Sequence, residues 1–113
     1  MATPSKPPTF EFGAAGADGE FKLTGVLGFD TATTILKRGD EAFAGRSSQS
    51  VDLSGVTHAD SAGLSVLLTW VERARRDRRV LKFTGLPEQL RGIARLCAVE
   101  PLLAAAEAKA STT

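Results

Sequence analysis

A single α/β domain with a small mixed β-sheet and helices packed on it is the fold this sequence predicts, in the order β-β-α-β-α-β-α. Three observations carry the prediction. Segments of period-two alternation are interleaved with segments whose apolar residues recur at helical spacing. The first two alternating segments are joined by a glycine-rich loop, as in a hairpin, and the later ones through helices, as between parallel neighbours. Finally, 113 residues, 42% of them apolar and 24% charged, suffice for one core without staples.

Each element has its own signal. Phe10–Phe12 and Phe21–Leu27 alternate around the loop Gly13–Gly19 and form the hairpin. A first helix starts at Asp30 or Thr31 and runs to about Ala44, with Ala32, Ile35, Leu36, Gly39 and Phe43 on one face. Ser50–Leu53 is a strand that Ser54-Gly55 ends. A second helix runs from Ser61 to about Arg76 and buries Leu64, Leu67, Leu68 and Val71, at i, i+3, i+4 and i+7. Val80–Thr84 is a further strand. Pro87, at the favoured first position, opens a third helix to about Ala98, with Leu90, Ile93, Ala94 and Cys97 facing inward. Leu102-Leu103 reads as a last short strand or a packed turn. The domain thus spans residues 9–103, after a Pro-rich leader (1–8) too poor in apolar residues to fold and before an Ala-rich tail (104–113), flexible or helical.

Composition removes several function classes. A formal charge of +1 gives no general pull toward nucleic acid or anionic lipid. Cys97 is the only cysteine, so no intrachain disulfide forms, and it reads as a small core residue. No His/Cys/carboxylate set has metal-ligand spacing, and no Walker or dinucleotide glycine pattern is present, so neither metal nor cofactor is expected. The longest run of large apolar residues, Val66–Leu68, is far short of the roughly 20 residues of a membrane span. The N-terminus has no apolar signal core. The expectation is a soluble, cytoplasmic domain.

The chemistry-bearing stretch is Val51–Leu68, where a strand leads into Asp60-Ser61-Ala62-Gly63-Leu64 at the opening of a helix. A hydroxyl there meets outward-pointing N–H groups. Ser61 can be a helix cap, contributing about 1 kcal/mol, with Asp60 sharing the task; it can also be a phosphosite or part of a docking surface. His58 is the nearby base, but a lone histidine with no Gly-x-Ser-x-Gly elbow reads as an exposed loop residue, and no enzyme is expected. Gly63 permits close approach by a neighbour, and Gly55 permits a turn. At about 100° per residue, Val66 and Trp70 fall off the Leu64–Leu67–Leu68–Val71 stripe, with Arg73 beyond them. Trp70 is then either the flank of a thick core or an interface anchor. With Ser61, Ser65 and Thr69, these residues outline a patch suited to a partner's helix or loop. The cluster from Arg73 to Arg79 is a solvated helix end or a contact for acidic groups or anionic head groups. Its shortness and lack of interleaved aromatics argue against nucleic acid.

The run Val51-Asp-Leu-Ser-Gly-Val-Thr-His-Ala-Asp60-Ser-Ala-Gly-Leu64 resembles the signature of the STAS domain family, a strand reading "D-L-S-x-V" followed by "D-S/T-x-G-L". The likeness extends over roughly residues 10–103. Leu67-Leu-Thr-Trp70, the basic end at Arg73–Arg79, and Pro87-Glu-Gln-Leu-Arg with Ala94–Leu103 are most similar to the MlaB-like branch. That resemblance implies a STAS fold and a subunit of a phospholipid-transport ABC complex, held at the inner membrane through that complex. Its implied partner is the ATPase subunit, bound through Ser61, Gly63, Ser65, Val66, Thr69, Trp70, Arg73 and His58. Anti-sigma-factor antagonists share the Asp60-Ser61-x-Gly63-Leu64 core, which implies the alternative of a switch phosphorylated on Ser61 by an anti-sigma-factor kinase. A homodimer of the isolated domain through the same patch stays open.

Overall fold

The computed structural model describes residues 9–106, so the expected leader and the tail beyond residue 106 lie outside the described residues. The elements are β1 (Phe10–Ala14), β2 (Glu20–Leu27), α1 (Ala32–Phe43), β3 (Ser48–Ala59), α2 (Ser61–Arg76), β4 (Val80–Thr84), α3 (Glu88–Leu96) and α4 (Glu100–Ala106). The sheet order is β1-β2-β3-β4. β1 and β2 pair antiparallel, as the glycine-rich loop requires, and β2, β3 and β4 are parallel, as the helical crossovers require. The predicted mixed sheet is therefore the observed one.

One face of the sheet is apolar. Phe21 and Leu23 of β2, Val51 and Leu53 of β3, and Leu81 and Phe83 of β4 are buried, and they share one core with Ile35, Leu67, Leu90 and Leu103 of the four helices. The intervening Lys22, Lys82 and Thr84 are exposed, so the opposite face is solvated.

β3 is much longer than its sequence suggests. The alternation Gln49–Val51–Leu53 stops because the register slips twice: Lys22 pairs with Asp52 but Thr24 with Gly55, and Gly25 pairs with Val56 but Val26 with His58. Each slip places an extra residue in β3, and a bulge of this kind shifts which side chains face inward. Asp52 accepts the Ser54 amide at 2.8 Å beside the first slip. Hydrogen bonds from the Ser54 backbone and side chain, opposed by burial and helped by Lys22, hold its carboxyl below the ordinary value of 3.8. Gly55 consequently makes no turn but lies within β3 against the side chain of Thr24. The strand ends only at Ala59.

The helix boundaries follow the sequence closely, but two side-chain expectations change. In α2, Leu64 and Leu67 are buried as expected, whereas Leu68 and Val71 are only partly covered. Trp70 is 1% exposed and Val66 3%, so the core stripe is rotated toward α1. The Trp70 ring lies 5.3 Å from Phe43 and 6.0 Å from Phe12, centroid to centroid, and its Nε1 donates to the Leu36 carbonyl at 3.4 Å. Gly39 makes room for it: a Cβ there would collide with the indole ring. Cys97 is exposed rather than buried, because α3 stops at Leu96 and the chain turns through Ala98 at φ 59°. Leu102-Leu103 belongs to α4, with Leu103 in the core.

Replacing a core tryptophan leaves a cavity. Trp70→Ala is expected to lower unfolding free energy by about 3–5 kcal/mol, measured by urea denaturation. A surface tryptophan would lose no more than about 0.5 kcal/mol.

Candidate functional site

The site is built where β2 and β3 end and α1 and α2 begin. Asp60 occupies the N-cap of α2 in extended backbone, and its Oδ1 accepts the amides of Ala62 at 2.9 Å and Gly63 at 3.1 Å. Its Oδ2 accepts the Phe29 amide at 3.0 Å, so one carboxylate joins the β2–α1 loop to the mouth of α2. Burial pushes this carboxyl up, but the amides of Phe29, Gly63 and Ala62 and the charge of His58 outweigh it and hold the group below 3.8. Thr31 locks the loop from the other side. Its buried hydroxyl accepts the Gly28 amide at 3.0 Å and donates to the Val26 carbonyl at 2.9 Å. Gly63 is buried against the Leu27 carbonyl, where a Cβ would clash with backbone, so α2 can approach β2 only with glycine there.

With the cap taken by Asp60, Ser61 stands exposed at the first helical position. Ser65 Oγ donates to the Ser61 carbonyl at 3.1 Å, and Thr69 Oγ1 donates to the Ser65 carbonyl at 2.7 Å. These small side chains, four residues apart, form one ridge. Across from it α1 contributes Ala32, Thr33 and Leu36, and between the helices runs a shallow groove of about 310 Å³ floored by Val66. Phe29 stands at its mouth, 81% exposed. Farther along α2, Arg73 pairs with Asp40 of α1.

The predicted site residues therefore divide. Ser65 and Thr69 line the groove with Val66 as its floor, while Ser61, one turn earlier on the same ridge, lies outside its lining. Gly63 and Trp70 lie in the interior and act by positioning α2, which corrects their placement on an exposed patch: Trp70 fills the space between α1, β1 and the sheet. His58 is exposed, but on β3 opposite Val26 rather than in a loop. Phe29 is the residue that the sequence reading did not single out. Its signal was an aromatic between Gly28 and Asp30, outside the alternation of β2 and outside the apolar stripe of α1. Among the described residues no group of three or more His, Cys, Asp or Glu could hold a metal ion.

A mixed four-stranded sheet with helices on one face, and a capped helix mouth open to solvent beyond its third strand, is the architecture of a STAS domain. The chain belongs to that family: the model described as "Mlab, STAS domain" matches residues 10–104. No curated protein matches it in sequence. Solved structures that resemble it include the anti-sigma factor antagonist SpoIIAA in its unphosphorylated form, 10% identical over 91% of this chain and 89% of that one, with a TM-score of 0.64. A sulfate transporter family protein from Wolinella succinogenes is 17% identical over 78% of this chain and 73% of that one, at 0.62. SLC26A9 is 11% identical over 71% of this chain, at 0.61, and the matched region spans only 16% of its length. At these identities the likeness concerns the fold. Among the described residues no helix is long and apolar enough to cross a membrane.

The cap can be tested by pH. Asp60→Ala is expected to destabilise the domain by about 1–2 kcal/mol at neutral pH. Because the folded-state pKa is lowered, the carboxylate's contribution is complete above the unfolded value of about 3.9 and is lost as pH falls through the folded value. Chemical denaturation of both proteins across that range should show the difference shrinking on acidification.

Proposed function

We propose that this chain is a non-catalytic interaction subunit of an MlaB-like phospholipid-transport ABC complex, in which it binds the ATPase subunit on the cytoplasmic side of the inner membrane. The carrying observation is Phe29, an aromatic ring left 81% exposed at the mouth of the α1–α2 groove while its own backbone is fixed by Asp60. An exposed aromatic on a fixed backbone beside a groove of small side chains suits a partner's apolar residue, and aromatic rings bury large apolar area at interfaces. The ridge of Ser61, Ser65 and Thr69 adds polar contacts at low side-chain entropy cost. A subunit of this kind acts through unequal affinity for its partner's states or by stabilising its partner's fold. The family membership supports the reading.

The alternative is an anti-sigma-factor antagonist switched by phosphorylation of Ser61, and the exposure of that hydroxyl favours it. Asp60 does not separate the two readings, since it belongs to the Asp60-Ser61-x-Gly63-Leu64 core that antagonists share. The Ala62 and Gly63 amides that would receive a phosphate are already bonded to Asp60. A phosphate of about −1.5 to −2 charge would also stand beside that carboxylate. The matching family model is the one described as Mlab, and this supports contact ahead of modification for Ser61.

The test is capture from mildly solubilised membranes with the tagged chain, read by mass spectrometry with phosphosite mapping. Recovery of an ABC ATPase and permease with unmodified Ser61 is the expected outcome. Phe29→Asp and Ser61→Arg are each expected to cut ATPase capture about tenfold or more, with thermal unfolding little changed. Undiminished capture by both variants, or recovery of a soluble kinase with phosphate on Ser61, would reject the transporter reading.

A further inference from the structure

The sheet has two free edges, β1 and β4. Unpaired strand edges invite another chain, and folded proteins blunt them with lysine, proline or bulges. β4 is blunted at its centre. Two copies paired over Val80–Thr84 would set Lys82 against Lys82, and like charges directly opposite repel. β1 carries none of these devices: it reads Phe-Glu-Phe-Gly-Ala, and its register with β2 is unbroken from Phe10 to Ala14. A hollow of about 520 Å³ follows it from Phe10 to Ala15, bounded by Arg38 of α1 and by Lys22 and Thr24 of β2.

The backbone of β1 is divided between its two sides. The Val26 amide donates to the Thr9 carbonyl at 2.9 Å and the Ala15 amide to the Glu20 carbonyl at 2.8 Å, so the odd-numbered residues point their polar groups at β2. Phe10, Phe12 and Ala14 therefore offer their N–H and C=O groups outward. Two features of the open sheet face have no explanation within one copy. A Cβ at Gly13 would meet nothing within 4 Å, and its φ is not positive, so no contact or strain inside the chain calls for glycine. Glu11, exposed two residues earlier on the same face, forms no ion pair among the described residues.

We infer that β1 is a self-association edge, through which two copies pair antiparallel about a two-fold axis at Phe12. In that register Phe12 exchanges both backbone bonds with the partner's Phe12, and Phe10 does the same with the partner's Ala14, so every outward group is used. The paired phenylalanines extend the aromatic cluster, since Phe12 already stacks on Phe21 at 5.5 Å. On the open face Glu11 falls opposite the partner's Gly13, beside which the partner's Lys22 stands in the same row. The missing side chain leaves carboxylate and ammonium to meet across the glycine, once on each side of the axis. This charge complementarity selects a second copy of the chain as occupant. Pro4, Pro7 and Pro8 lack N–H groups, so the residues before Thr9 match the edge poorly. The surface shares no residue with the α1–α2 groove, and the inference does not rest on the ATPase contact.

Sedimentation velocity of the full chain over a series from micromolar to millimolar tests it. A reversible monomer–dimer equilibrium is expected. Glu11→Lys sets two ammonium groups together at both contacts, and Lys22→Glu sets two carboxylates together. Each is expected to weaken the dimer about tenfold or more. An equimolar mixture of the two variants has an attractive pair at each contact and is expected to dimerise as the unaltered chain does. Both residues are exposed, so the fold should persist, which thermal unfolding checks. Ala14→Pro, which removes an outward N–H but no bond to β2, is expected to weaken the dimer as well. Phe29→Asp, in the docking groove, should leave it unchanged, which separates this inference's failure from that of the ATPase reading. A chain monomeric throughout the series would overturn the inference. So would a dimer indifferent to both charge reversals, or a mixture no stronger than its components. Loss of the dimer in Phe29→Asp would also overturn it, by moving the contact to the docking groove.

Discussion

The carboxylate of Asp60 is the constraint on which the candidate site of this domain depends. It holds two amides of α2 and one of the β2–α1 loop, and it does so next to a helix that has closed onto the Leu27 carbonyl. A charged acceptor of three backbone donors is stronger than a neutral cap and fixes two segments to each other. Two consequences follow from the same bonds. Ser61 is released from capping and faces solvent, and Phe29 is pinned by its backbone while its ring is left outside. The exposed rim of the α1–α2 groove is thus a by-product of how the helix mouth is satisfied.

The interior is organised around a different contact. Trp70 packs against Phe12, Phe43 and Gly39, and so joins β1, α1 and α2 in one aromatic cluster that also includes Phe21. Because α2 packs against α1 on one side and α3 and α4 on the other, its buried face is wider than a single helical stripe. Leu64, Val66, Leu67, Trp70 and Ala74 are all covered. The two ends of the helix then diverge in character: small hydroxyl residues and an exposed ring at the start, arginines and aspartates at the finish.

Much of this was determined by the sequence itself. Local periodicity and punctuation set the element order, the hairpin, and the bounds of α2 and β4, because those features depend on backbone chemistry within a few residues. The Asp60-Ser61-Ala62-Gly63-Leu64 motif located the site for the same reason, and it carried the family resemblance that the match over residues 10–104 bears out. Tertiary structure alone decided the rest. Leu53 looked like the end of a strand because bulges break alternation, and only pairing with β2 shows that β3 continues to Ala59. Trp70 could be core or surface until α1 presented Gly39 opposite it. Cys97 left the core when α3 ended two residues early, and Phe29 became a surface feature once Asp60 reached across 31 positions to its amide. Each of these turns on which segment lies next to which, and a single-segment pattern holds no information about a neighbour that the chain reaches only by folding.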